Sequence, residues 1–242
     1  MIKVLLYSLL PMIAAILAAI IGALQTPSNR MRSATQHLAA GVVFAAVGLE
    51  MGPDLLKRHG SISTAIGFCI GVGVFVLIRY LTEKPIAESS DSSKTAEGGL
   101  SSYIVTIATD LLVDGVMIGI GFIAGAKAGI LLTIALTIEL ISLALALVSY
   151  LRGNGKTMWS AIGFTAALTT LVPVGSVIGM FVVSPLPEQI INGTIAAGTA
   201  ALLYLVTEEL LRDAHEQPEG PFTTATFFAG FLVVLLIDMR LG

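Results

Sequence analysis

Residues 102–125 read SYIVTIATDLLVDGVMIGIGFIAG. The run is long enough to cross the hydrocarbon core of a bilayer as one helix, yet it holds two aspartates, Asp110 and Asp114. A charged side chain near the bilayer centre costs roughly 3 kcal/mol on insertion scales, so two on one helix require a compensating role, and a cation pathway is the default expectation. Positions i and i+4 lie one turn apart on the same face, about 5–6 Å from each other. A hard cation or a shared proton fits between such carboxylates.

Composition agrees with a membrane solvent. Of 242 residues, 55% are hydrophobic and only 12% charged, with a mean hydropathy of +0.92, whereas a soluble domain carries about twice that charged share. Cutting at Gly, Pro and charge clusters leaves eight apolar stretches of spanning length, near 3–24, 35–56, 62–82, 102–125, 128–151, 157–183, 188–211 and 221–240. None alternates like a barrel strand, so all eight are expected to be helices. The expectation is an all-α polytopic bundle of one domain over 1–242. Its first run is longer than the apolar core of a cleaved leader and is taken as a retained span.

Basic residues divide by side. Arg30, Arg32, Arg79, Lys84, Lys94, Arg152, Lys156 and Arg212 fall on one, while Lys3, Lys57, Arg58, Lys127 and Arg240 fall on the other. The richer side marks the cytoplasm and puts both termini outside. The loop at about 83–100, with PIAESSDSSKTAEGG at its centre, is then a flexible cytoplasmic tether. The single Cys69 supplies neither an intramolecular disulfide nor a thiolate cluster.

An internal echo joins HLAAGVVFAAVGLEMGPDLLKRH (37–59) to GTIAAGTAALLYLVTEELLRDAH (193–215). Each has Ala-Ala-Gly, acids nine or ten residues later, then Leu-Leu, a basic residue and a histidine. A shift of five helices reverses the direction of travel, the signature of inverted repeats in secondary transporters. Ala-Ala-Gly is common in membrane helices, and chance similarity is the competing account.

These patterns resemble the ZIP (Zrt/Irt-like) divalent metal transporters. TDLLVDG matches the frame of that family's fourth-span His-Asn-x-Pro-Glu-Gly motif, with Asp110 in place of the histidine, Leu111 in place of the asparagine, and Asp114-Gly115 in place of Glu-Gly. In the sixth span LVPVGSVIG keeps Pro173 and Gly175 of the family's Glu-Pro-x-Gly-Ala but puts Val172 where the metal-binding glutamate would be. The fifth span offers Glu139, with Thr137 and Ser142 nearby. The resemblance implies a 3+2+3 inverted-repeat bundle whose fourth and fifth spans hold metal at mid-membrane, with the second and seventh lining the path.

On that frame Asp110, Asp114 and Glu139 are the expected metal ligands. Three carboxylates without an imidazole form a hard oxygen set suited to Mn²⁺, Fe²⁺ or Mg²⁺, and Zn²⁺ also accepts carboxylate oxygen. When empty, such a set shares protons that an entering metal displaces. Ser142, Thr137, Glu50, Asp54, Glu208, Glu209 and His37 are candidate pathway or secondary positions. For the acids at span ends, solvated interfacial polarity is the rival reading; for His37 it is a hydrogen-bonded surface group, and for the Asp110–Asp114 pair a structural pairing with a neighbouring Ser, Thr or Lys. Gly115, Gly119, Gly121 and Gly125 are expected to serve helix packing, and Pro173 to kink the sixth span near Thr169 and Thr170.

No His-Glu-x-x-His helix, Gly-Lys-Ser/Thr phosphate loop or Gly-x-Ser-x-Gly elbow is present. An aspartic protease dyad draws its carboxylates from different helices, whereas Asp110 and Asp114 share one. A charge of −3 without a basic face disfavours nucleic acid. The expected function is secondary transport of divalent cations of the zinc, iron and manganese class by alternating access in a bacterial inner membrane. The metal is substrate, with no prosthetic group and no enzyme activity. The alternative is a divergent protein on the same scaffold that moves protons or another small solute, or has lost transport. Besides lipid, association of two copies is the partnership left open.

Overall fold

A computed structural model describes residues 2–25, 28–87, 95–215 and 221–241. Over these residues the apolar runs become eight helices: α1 (Ile2–Leu24), α2 (29–57), α3 (Ser61–Ala87), α4 (Thr95–Ala124), α5 (Ala126–Gly153), α6 (158–183), α7 (188–215) and α8 (Pro221–Leu241). No strand occurs among them. Seven are long and apolar enough to cross a membrane, and the stretch Ser61–Leu77 of α3 adds a shorter apolar segment.

Local chemistry sets the ends. Helix α2 starts six residues before its apolar run because the Ser28 hydroxyl accepts from Met31 N–H at 3.3 Å, an N-cap that lets polar residues join the first turns. Thr157 caps α6 through Ser160 N–H at 3.3 Å. Past the end of α5, Gly155 takes φ +79°, the left-handed conformation that favours glycine after a helix C-terminus. Helices α3 and α4 extend into the expected tether, to Ala87 and from Thr95, and residues 88–94 lie outside the described residues. The α6 rod is broken at Thr170, just before the buried Pro173, and the Thr169 and Thr170 hydroxyls donate to Ala166 and Ala167 carbonyls within the same helix. The kink is structural, and its hydroxyls are occupied.

The packing follows an inverted repeat. Helix α1 packs on α5 and α4 on α6, while α2 packs on α8 and α3 on α7. Exchanging α1–α3 with α6–α8, and α4 with α5, turns each of these pairs into the other. The echo between α2 and α7 has a structural counterpart: each carries a π-helical segment, Val47–Met51 in α2 and Leu205–Leu210 in α7, and each segment bears acids, Glu50 in the first, Glu208 and Glu209 in the second. π-Segments of this kind widen a helix locally and recur at functional sites.

Small residues bring the α4–α6 pair together. A methyl on Gly115 would stand 2.9 Å from the Gly175 Cα, and one on Gly119 would stand 2.8 Å from the Met180 backbone nitrogen. The core interleaves small Ala, including Ala15, Ala19, Ala39, Ala40, Ala45 and Ala46, with Leu and Ile such as Leu131, Leu136 and Ile118, and many further Leu, Ile and Phe face outward. That distribution suits a lipid solvent, in which close backbone approach substitutes for hydrophobic collapse.

Candidate metal centre

Asp110 and Asp114 project from one face of α4 toward α3 and α7. With Val113 and Met117 of α4 they line a small cavity, about 10 Å³ in volume, closed by Phe75 from α3 and by Ala201, Leu202 and Leu205 from α7. Room of that size holds about one water-sized particle. Leu205 opens the π-segment of α7, so the widened turn lies against the acids.

Asp114 is 3% exposed and Glu139, on α5, is 4% exposed. Asp114 Oδ2 and Glu139 Oε2 are buried without a hydrogen-bond partner among the described residues. Glu139 lies within electrostatic reach of Asp114, Asp110 and Glu209, and Asp114 within reach of Glu209. Carboxylates from α4, α5 and α7 thus share one region. Among the described residues no three His, Cys, Asp or Glu side chains already stand close enough together to hold an ion. Leu111 and Val172, at the two positions where the resembled family carries ligands, are apolar and buried, at 1% and 0% exposure.

The smaller candidates have defined partners. The Thr137 hydroxyl donates to the Thr133 carbonyl at 2.6 Å, a bond within its own helix. Ser142 is buried, and its Oγ lies 3.2 Å from Thr35 Oγ1 on α2. Glu208 is exposed, and Glu209 half-buried, on the α7 π-segment.

At span ends the picture departs from solvated polarity. Glu50 Oε1 is 3.0 Å from Lys127 Nζ, which also lies 2.9 Å from Asp238 Oδ1, so one ammonium bridges α2, α5 and α8. Asp54 pairs with Arg58 at 2.6 Å, and Arg58 donates further to Asn192 Oδ1 and to the Ala124 carbonyl, both at 3.3 Å. These acids are tied to cations. In the sequence Lys127 counts only toward orientation and Asp238 is no candidate; the signal for the cluster is a lysine at the start of one apolar run and an acid near the end of another. Arg152, from the other basic set, donates to the Ala23 carbonyl at the opposite end of α1 from Lys3.

His37, a pathway candidate whose rival reading is a hydrogen-bonded surface group, is fully buried, at 0% exposure, which removes the surface reading. Its neighbours require it: Nδ1 is 2.9 Å from the Ser33 carbonyl, and its ring lies 5.4 Å from that of His215, centroid to centroid.

Comparison with known proteins agrees with this architecture. The family model described as ZIP Zinc transporter matches residues 82–238, more than half of the chain. "Zinc transporter ZIP11" of Xenopus tropicalis is 27% identical over 92 residues, 38% of this chain and 27% of that protein. "Zinc transporter GufA" of Myxococcus xanthus is 31% identical over 93 residues, 38% of this chain and 36% of that protein. "Zinc transporter ZIPB" of Bordetella bronchiseptica is 26% identical over 143 residues, 58% of this chain and 45% of that protein. The chain therefore spans less than half the length of each of these relatives. An all-helical bundle with acids buried between its spans, packed as an inverted repeat and matched by this model over most of its length, belongs to the ZIP zinc transporter family.

Proposed function

We propose that the protein is a secondary transporter that carries divalent cations of the zinc, iron and manganese class across a bacterial inner membrane by alternating access. Asp110, Asp114 and Glu139 bind the ion, Glu209 adds negative potential from α7, and both termini face outward. The observation that carries this reading is the pair of orphaned oxygens, Asp114 Oδ2 and Glu139 Oε2, buried on neighbouring helices with no cation paired to either among the described residues. A buried carboxylate oxygen without a partner is unfavourable, and a dication replacing its lost hydration removes that penalty. The relatives named as zinc transporters support the substrate class.

In this reading the site assembles around the ion rather than awaiting it: among the described residues no three ligands are gathered beforehand. Binding draws α4 and α5 together, which gives the ion a differential affinity for one state of the bundle and so a means of shifting it. Release restores the repulsion among the acids, and water or protons compensate them on the return.

Metal uptake into vesicles of reconstituted protein tests the proposal. Zn²⁺ or Mn²⁺ flux that is lost in Asp114→Asn and in Glu139→Gln supports it. Folded protein that moves none of Zn²⁺, Fe²⁺ and Mn²⁺ overturns it. Buried Leu111 and Val172 favour one competing reading, a carrier of protons or another small solute on the same scaffold, and that reading predicts proton flux without metal flux.

A further inference from the structure

His37 and His215 share an arrangement that burial alone does not explain. His37 Nδ1 lies 2.9 Å from the Ser33 carbonyl, four residues earlier in α2, and His215 Nδ1 bonds the Leu211 carbonyl, four residues earlier in α7. A carbonyl oxygen only accepts, so in each ring Nδ1 carries the proton, and in the neutral imidazole Nε2 keeps its lone pair. This is the tautomer used by metal-ligating histidines, which characteristically donate the other ring N–H to a carbonyl or carboxylate. The Nε2 of His37 is buried without a hydrogen-bond partner among the described residues.

The spacing fits one ion between the rings. The ring centroids are 5.4 Å apart, with planes inclined by 56°. Two imidazoles bound to one tetrahedral Zn²⁺ at about 2.0–2.1 Å would hold their centroids about 5 Å apart. Ser33 Oγ donates to the Ala214 carbonyl at 3.1 Å, which ties α2 to the residue before His215 and fixes the rings opposite one another. His37 is fully buried and His215 exposed, so the pair leads from interior to surface. It stands 13 residues before Glu50 on α2, about 20 Å at 1.5 Å per residue.

We infer that His37 and His215 form a two-imidazole site for a borderline-soft dication such as Zn²⁺ or Co²⁺, at the end of the bundle opposite the Glu50–Lys127–Asp238 cluster. The inference rests on the metal-carrier reading. Nitrogen ligands here would receive an ion that the carboxylates release, and they would select against Mg²⁺ and Ca²⁺, which prefer oxygen.

The chain has three histidines, so protein labelled with ¹⁵N-histidine in lipid nanodiscs and titrated with Zn²⁺ gives a direct test. His59 serves as the internal control. The expected result is a saturable shift of the His37 and His215 Nε2 resonances with both Nδ1 protons retained, no shift of His59, and the same behaviour in Glu139→Gln. His37→Gln should weaken binding at this site at least tenfold. A His37 resonance that stays put while Zn²⁺ saturates other sites overturns the inference, as does a shift of His215 alone. The two readings fail separately: metal flux without a His37 shift rejects only the dihistidine site, whereas a paired histidine shift without flux rejects only the carrier.

Discussion

Replacing Gly115 by Ala puts a methyl into the tightest crossing next to the candidate ligands. The methyl would meet the Gly175 Cα at 2.9 Å and the Ser176 nitrogen at 3.0 Å, with the Val172 carbonyl oxygen nearer still, against an ordinary contact that begins at 3.4 Å. All three are backbone atoms, so no side-chain rotation makes room, and α4 and α6 must separate by at least half an ångström. Overpacking of this kind costs about 1–3 kcal/mol, offset in part by the roughly 0.5–1 kcal/mol that Ala gains over Gly inside a helix. The net loss of about 1–2 kcal/mol corresponds to a fall in Tm of about 2–8 °C for a chain of this size. Thermal unfolding of detergent-purified protein followed by circular dichroism reads it. Gly73→Ala on α3 is the matched control, because a methyl there meets nothing within 4 Å, and its Tm should be unchanged or raised. Asp114 is the residue before Gly115 and moves with it, so metal affinity should fall together with Tm. A Gly115→Ala protein that melts with the wild type, or a Gly73→Ala protein that loses as much, refutes the close crossing.

Lys127→Met strips the shared ammonium from Glu50 and Asp238 and should lower stability by about 1–3 kcal/mol, because the three groups are only partly exposed; adding Asp238→Asn should recover part of it, and melting of the single and double variants decides. Thr137→Val should leave Zn²⁺ uptake within about twofold of wild type, since that hydroxyl is spent on its own helix; loss of uptake would restore it as a ligand. Glu209→Gln should weaken metal affinity by on the order of 1 kcal/mol, a through-space effect between charges of different helices, and an isothermal titration showing no change would remove it from the site.

The spans were legible because lipid demands long apolar helices, and runs such as 3–24 and 128–151 leave little choice. Their ends were less so. Ser28 capping carries α2 back through residues 29–34, among them Asn29, Arg30, Arg32 and Ser33, a local hydrogen bond that hydropathy does not register. The π-segments were visible only as a slip in the echo, nine residues from Gly41 to Glu50 against ten from Gly198 to Glu208. The pairing of Asp110 with Asp114 along α4 follows from helical period alone. Their relation to Glu139 and Glu209 depends on which helices pack together, and spacing along one helix does not supply that. Glu50 and Asp54 show the converse: acids that looked alike in sequence are bound to Lys127 and Arg58, partners that only tertiary structure supplies. The echo aligns His215 with His59, yet the fold sets His215 beside His37, because the inverted repeat brings the start of α2 to the end of α7.

Whether the buried carboxylates hold the ion is read directly by anomalous scattering at the zinc edge from crystals of the protein grown with Zn²⁺. A peak between α4 and α5 within bonding distance of Asp114 and Glu139, absent in Glu139→Gln, is the expected result. Zinc density confined to places where neither carboxylate can reach it would refute binding by these two acids.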